Sequence, residues 1–297
     1  MSENPQNIIA PVAPQSVGNR SIGELIREAK NLTPEQMDSV LKYQAEHGIR
    51  FGDAAVALGF VKRDDVLWAL SRQFHYPYSA GGDSASTANP ELVVANSPFS
   101  DEAEAFRNFR SQLISSVFNP GAPKKALAVV SPSSGEGKSF FCANLAVVFS
   151  QLGGRTLLVD ADMRTPRQHE IFGVEGNNVG LSSVLAGRCE TNVIRPIEEL
   201  PSLYVLPVGA TPPNPLELAQ RPAFALLVME LLQKFDYVIV DTPAAAHGAD
   251  ARVISAVCGA AMVVGRRHHT SVSALKALAD NLKKANITNA GIVLNDH

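Results

Sequence analysis

Apolar residues follow two regimes along the chain. From residue 126 onward, short solid apolar runs alternate with longer stretches in which apolar positions recur every three or four residues. Residues 126–130, 156–159, 203–208, 237–240, 260–265 and 290–294 read as strands, and 140–151, 215–235 and 271–285 as helices between them. Strands alternating with helices predict an α/β fold, a doubly wound and mostly parallel sheet covered on both faces. Before residue 79 the solid runs disappear, and short amphipathic segments predict a small, mainly helical domain.

That helical region, residues 19–78, repeats itself. Gly23 and Gly52 stand 29 positions apart, as do Gln44 and Gln73, within similar surroundings. Each copy reads as a short helix, a turn and a longer helix, the longer ones entered through Thr33-Pro34-Glu35-Gln36 and Lys62-Arg63-Asp64-Asp65. Residues 1–18, without a sustained period, read as a flexible arm. Residues 79–100, rich in Gly, Ser, Ala and Pro, read as a linker. A helix is expected over 101–117, where Glu104, Arg107 and Arg110 form a stripe along one face.

Composition narrows the class only modestly. A length of 297 residues allows two modest domains, and 45% hydrophobic against 19% charged residues is ordinary for a globular chain. A net charge of −3 gives no general reason to expect nucleic acid as a partner. Cys142, Cys189 and Cys258 lie far apart without metal spacing, which fits a reducing, cytosolic setting. No apolar run approaches the roughly 20 residues that span a bilayer, and the N-terminus lacks the layout of a secretion signal.

The chemistry concentrates after the first predicted strand, at Ser131-Pro132-Ser133-Ser134-Gly135-Glu136-Gly137-Lys138-Ser139. A strand, a glycine-bearing loop ending in Gly-Lys-Ser and a helix make a phosphate cradle of the P-loop NTPase kind. Backbone N–H groups of Ser134 to Phe140 would face the anion, Lys138 would reach the outer phosphates, and Ser139 would take a position on Mg²⁺. Proline at 132 departs from G-x-x-x-x-G-K-[ST], which places glycine there. Two other runs end in carboxylates: Asp160-Ala161-Asp162 and Asp241-Thr242-Pro243. In a parallel sheet such ends collect at the crevice where the loop lies. Unpaired aspartates would be costly core residues, whereas beside Mg²⁺ and a triphosphate they have a reason to be there.

Two resemblances add to this reading. The helical repeat resembles the MshEN family, the N-terminal domain of type II secretion and pilus-assembly ATPases, whose binding members grip cyclic di-GMP. The second copy matches the family pattern at Arg50, Gly52, Asp53, Gly59, Leu70 and Gln73; the first has Ser21 in place of the arginine and Lys30 in place of the second glycine. The resemblance implies Arg50, Asp53, Gln44 and Gln73 as candidate cyclic di-GMP contacts; a module used only for docking is the competing reading.

From residue 101 onward the chain resembles the bacterial tyrosine kinases of exopolysaccharide chain-length control, of the EpsG-like type with a fused MshEN-like domain. The resemblance rests on Glu104-x-x-Arg107-x-x-Arg110, Gly135 to Ser139, Leu157 to Arg164, Pro212-Pro213-Asn214-Pro215-x-Glu217-Leu218, Val240 to Pro243 and Val293-Leu294-Asn295, in that order. Proline at 132 is ordinary in that family. The resemblance implies phosphoryl transfer from ATP to protein tyrosines, with Lys138 stabilising the transferring phosphate and Ser139, Asp162 and Asp241 around Mg²⁺. It further implies Asp160 as base, Arg266 and Asn295 near the nucleotide, and a ring of subunits joined through Glu104, Arg107 and Arg110. A membrane polysaccharide co-polymerase, reached through its cytoplasmic tail, would be the partner, which places the chain at the inner face of the inner membrane.

One departure stands out. Kinases of that family end in a tyrosine-rich tail, whereas this sequence runs only two residues past Asn295 and has five tyrosines in all. Tail autophosphorylation is therefore not expected, Tyr204 and Tyr237 are expected to be packed, and Tyr76 and Tyr78 to be accessible. The runner-up is a nucleotide-switch ATPase of the MinD/ParA type, against which Lys124 and Lys125 precede the strand and no second lysine lies in the loop. A third reading is a cyclic-dinucleotide sensor whose ATP site only holds oligomers together.

Overall fold

The computed structural model describes residues 21–73, 89–174, 179–189 and 193–296. The expected arm at 1–18, Tyr76, Tyr78 and residues 79–88 of the expected linker lie outside them. The chain divides into two compact units between Tyr76 and Pro77.

The first unit contains the repeat as four helices: α1 (Ile22–Lys30), α2 (Pro34–His47), α3 (Phe51–Ala57) and α4 (Arg63–Gln73). Ser21 with Glu24, and Thr33 with Gln36, form reciprocal capping boxes that satisfy the first free N–H groups of α1 and α2. The two short helices differ in length. α1 runs on through Lys30 before Asn31 takes the left-handed turn (φ 50°), while in the second copy Gly59 takes it (φ 71°). Lys30 is thus a helix residue, and its ammonium pairs with Asp65 at 3.0 Å. Leu25, Ile26, Leu32, Val40, Phe51, Ala54, Ala55, Val61 and Ala69 make the core.

The second unit is a seven-stranded sheet. In chain order its strands are β1 (Ala126–Val130), β2 (Thr156–Asp160), β3 (Arg195–Pro196), β4 (Leu203–Leu206), β5 (Tyr237–Asp241), β6 (Gly259–Arg266) and β7 (Thr288–Asn295). Their spatial order is β3-β4-β2-β5-β1-β6-β7, and every pair is parallel except β3 with β4. Alternate residues of the buried strands serve opposite layers. Ala126, Ala128 and Val130 face one core, with Phe224 and Leu231; Leu127 and Val129 face the other, with Leu145 and Phe149. Helices α6 (Asp101–Ser116) and α7 (Lys138–Ser150) serve the second core. Helices α12 (Asp250–Cys258) and α13 (Val272–Lys284) serve the first.

Two expectations are corrected. The linker does not extend to residue 100: Leu92 and Val94 are buried, and a short helix, α5 (Val93–Asn96), joins the second unit. Asn144 fastens it there, accepting from Val94 N (3.0 Å) and donating to the Glu91 carbonyl (2.8 Å). The apolar pair was hidden among small residues. The single helix expected over 215–235 is two, α10 (Pro215–Ala219) and α11 (Pro222–Lys234). Pro222 has no N–H to continue α10 and holds Arg221 extended (φ −66°, ψ 144°). In chain order the remaining short helices are α8 (Gln168–Ile171) and α9 (Leu181–Leu185).

Candidate nucleotide-binding and catalytic site

The site lies at the C-terminal ends of β1, β2 and β5. Gly135 (φ 77°) and Gly137 (φ 90°) both adopt left-handed backbone, which lets the loop wind back to the start of α7. Gly137 is the N-cap, so Lys138, Ser139 and Phe140 occupy the first turn, where main-chain N–H groups lack intrahelical partners. Proline at 132 fits because that position uses its carbonyl, which accepts from Ala246 N at 2.9 Å. Lys138 is 6% exposed and folds across the loop to the Ser131 hydroxyl (3.1 Å).

Strand register brings the carboxylates together. Asp160 and Asp241 are direct neighbours at the ends of β2 and β5, and both are fully buried. Asp160 anchors the following loop: Oδ1 accepts from Asp162 N, and Oδ2 from Arg167 N and Gln168 N, at 3.0–3.1 Å. Asp162 takes Arg164 N (3.1 Å) and Thr165 N (2.9 Å) on Oδ1 and the Thr165 hydroxyl on Oδ2 (2.9 Å). Arg164 in turn pairs with the buried Asp250 at 3.1 Å. Burial first, and then the neighbouring Asp241, push the Asp160 carboxyl well above the usual carboxylate range. Burial also raises Asp241, against the opposing pull of Ser139, Gln168 and Lys138.

A divalent cation fits this charge pattern. Asp241 Oδ1 is buried and makes no hydrogen bond. Among the described residues no three His, Cys, Asp or Glu side chains form a cage of their own. Such a cation would therefore draw most of its ligands from phosphate and water, as Mg²⁺ does beside a nucleotide.

The far wall is tied to the loop by Glu136, Arg266 and Asn295, which the sequence singled out, and by Thr270 and His247, which it did not. Glu136 is 1% exposed, and its carboxylate accepts from the Thr270 hydroxyl (2.5 Å) and Ser133 N (2.9 Å). Thr270 also accepts from Arg266 N (2.7 Å). The Asn295 amide donates to the Glu136 carbonyl (3.3 Å) and fills the space that a Cβ on Gly137 would need. Arg266 and Asn295 are register partners on β6 and β7, and so reach the loop edge together. The Ser134 hydroxyl meets His247 Nε2 at 2.8 Å. Gln168, fully buried between Ser139 and Asp241, was not anticipated either. A lone threonine, histidine or glutamine in a polar stretch carries no signal that separates it from a loop residue.

Other predicted residues lie elsewhere. On α6, Glu104 is exposed, Arg107 pairs with it at 2.9 Å and donates to the Pro98 carbonyl, and Arg110 donates to the Val148 carbonyl at 2.7 Å. In the first unit Arg50 precedes α3 and is exposed, as is Asp53, while Gln44 is half-buried; the Gln73 side chain lies outside the described structure. Tyr204 and Tyr237 are packed as expected, against Phe235 and against Phe149 and Phe118.

Residues 127–297 match the family model of the CobQ/CobB/MinD/ParA nucleotide-binding domain. CapB of Staphylococcus aureus, provisionally named a tyrosine-protein kinase, is 36% identical over 210 residues, which cover 71% of this chain and 90% of that protein. The tyrosine-protein kinase wzc of Salmonella typhi is 32% identical over 206 residues, covering 69% of this chain but 28% of that longer protein. The solved kinase domain of the Escherichia coli tyrosine kinase ETK is 31% identical with a TM-score of 0.65, covering 70% of this chain and 80% of that one. By fold, by the order of its site and by these likenesses, the chain belongs to the bacterial tyrosine-protein kinases built on the CobQ/CobB/MinD/ParA nucleotide-binding domain.

Proposed function

We propose that the chain binds ATP with Mg²⁺ in this cleft and transfers the γ-phosphate to a tyrosine hydroxyl of another protein. The observation that carries this is the convergence of a buried Lys138, the first turn of α7 and the paired Asp160 and Asp241 at one sheet edge. Transfer of this kind depends mostly on positioning and charge neutralisation. Lys138 and the loop N–H groups would hold the phosphates, and Ser139, Asp162 and Asp241 would hold Mg²⁺, which would neutralise charge on the phosphates. Asp160 accepts the tyrosine proton; its oxygens already take three main-chain N–H donors, which leaves about one lone-pair site for the hydroxyl. Arg266 and Asn295 flank the nucleotide base.

The setting is the assembly and export of an extracellular polysaccharide, where the kinase tunes chain length. The partner is a membrane co-polymerase whose cytoplasmic tail docks on a ring of kinase subunits, with Glu104, Arg107 and Arg110 at the subunit contact. This places the chain in the cytoplasm, peripheral to the inner membrane; among the described residues no helix is long and apolar enough to cross a membrane. The first unit binds cyclic di-GMP through Arg50, Asp53, Gln44 and Gln73. Two features of that unit support a fold intact enough to bind: both capping boxes are formed, and Lys30 is absorbed by Asp65.

Transfer of labelled γ-phosphate, with and without a candidate co-polymerase tail and with Lys138→Met as control, tests the reading. Label on tyrosine that disappears in Lys138→Met, a loss of at least about 100-fold, is the expected result. Phosphate release without protein label would instead favour a nucleotide switch of the MinD/ParA kind.

A further inference from the structure

Gln168 is the first residue of α8 and is completely buried. Its Nε2 donates twice, to the Ser139 carbonyl (3.1 Å) and to Asp241 Oδ2 (2.8 Å). Two acceptors at one end fix the orientation of the amide, because a flipped side chain would set its oxygen against a carbonyl and a carboxylate. Oε1 is then left buried without a hydrogen bond. Only four buried side-chain polar atoms among the described residues lack a partner, and two of them, Gln168 Oε1 and Asp241 Oδ1, belong to side chains already bonded to each other. An orphaned buried acceptor is costly unless something arrives to donate to it. Both orphans are acceptors, and both sit beside the first turn of α7.

Water bound to Mg²⁺ turns its lone pairs to the metal and presents only donors. Mg²⁺ gives up its water reluctantly and brings several such molecules into a site. The surroundings therefore need acceptors with nothing yet bound to them. We propose that Gln168 is a positioning residue of the magnesium site: Nε2 holds Asp241 and the Ser139 peptide in place, and Oε1 accepts a hydrogen bond from a water of the hydrated cation. Ser139 and Asp241 thereby reach the cation as a joined pair, and Asp160, bonded to the Gln168 main chain at 3.0 Å, fixes where the amide begins. This rests on the reading that nucleotide binds with Mg²⁺.

The test measures ADP affinity of the full chain in excess Mg²⁺ and in EDTA, for the wild type and for Gln168→Leu, with Gln168→Met as a second, unbranched replacement. The expected result is that the gain in affinity given by Mg²⁺ falls at least tenfold in both variants, while the affinity in EDTA changes less than twofold. An unchanged gain, or an equal loss under both conditions, overturns the inference. Failure of both variants to fold without metal also overturns it, because Gln168 would then be a structural residue. A wild type that gains nothing from Mg²⁺ overturns the proposed function and this inference together; a wild-type gain that the variants retain overturns only the inference.

Discussion

The two units treat polar residues in opposite ways. The larger unit buries Glu136, Lys138, Asp160, Asp162, Gln168, Asp241 and Asp250 around one sheet edge, whereas in the first unit the buried polar residue is Ser71, among the described residues. The candidate ligands of the first unit, Arg50 and Asp53, stand in solvent. Charge withdrawn from water is expensive unless a partner or ligand offsets it. The larger unit thus carries a physical trace of its chemistry even without ligand, and the small one does not. Its arginine gains nothing and costs nothing until a ligand arrives.

The sharpest way to break this contrast uses two glycines with similar backbone. Gly137 (φ 90°) and Gly59 (φ 71°) both favour glycine, but a Cβ on Gly137 would stand 2.0 Å from the Asn295 amide, while one on Gly59 meets nothing within 4 Å. Left-handed backbone costs an L-residue about 1–2 kcal/mol. Gly137→Ala adds displacement of Asn295 from the phosphate loop, so ADP affinity is expected to fall about tenfold or more. Gly59→Ala is expected to lower the stability of the first unit by about 1 kcal/mol and leave ADP binding alone. Equal effects on ADP binding, by fluorescence titration, would remove the distinction.

A smaller effect concerns pH. Burial raises the Asp160 and Asp241 carboxyls in the folded chain, so the folded state holds protons that the unfolded state releases near pH 4. Stability from these protons is complete below that pH and is lost as pH rises through the folded values. Asp241→Asn keeps the shape and removes the titration. Without metal, it is expected to be more stable than the wild type at pH 7–8, with a difference that shrinks towards pH 4, on the order of 1 kcal/mol per pH unit within the window. Denaturant titrations across pH 4–8 check this; a pH-independent difference would show that Asp241 does not titrate there. Excess Mg²⁺ and ADP should reverse the order, because the charged form is then the one with a partner.

What could be read from the chain follows the same line. Solid apolar runs ending in Asp160 and Asp241 are legible because a strand end and a carboxylate seldom coincide without cause. The resemblance to tyrosine kinases added the order of the segments. Gln168 was not legible: its importance comes from the register of β2 and β5 and from the turn that Asp160 ties, neither of which a glutamine announces. The α5 segment was lost because Leu92 and Val94 lie in a stretch whose composition reads as linker. Pro222 carries a signal for the break, since proline there ends a hydrogen-bond ladder, but the continuous apolar spacing on either side concealed it.

The smallest expected effect belongs to Arg50. Its side chain makes no cap for α3 and is exposed, so Arg50→Ala should change stability by no more than about 0.5 kcal/mol. A planar guanidinium can still grip guanine or phosphate through two hydrogen bonds at once. Titration of cyclic di-GMP into the wild-type chain and into Arg50→Ala, with thermal melts of both, separates the roles. Binding lost at unchanged melting temperature supports a ligand site on the first unit. Unchanged binding removes Arg50 from that site, and absence of binding in the wild type leaves a helical repeat whose surface residues await a protein rather than a dinucleotide.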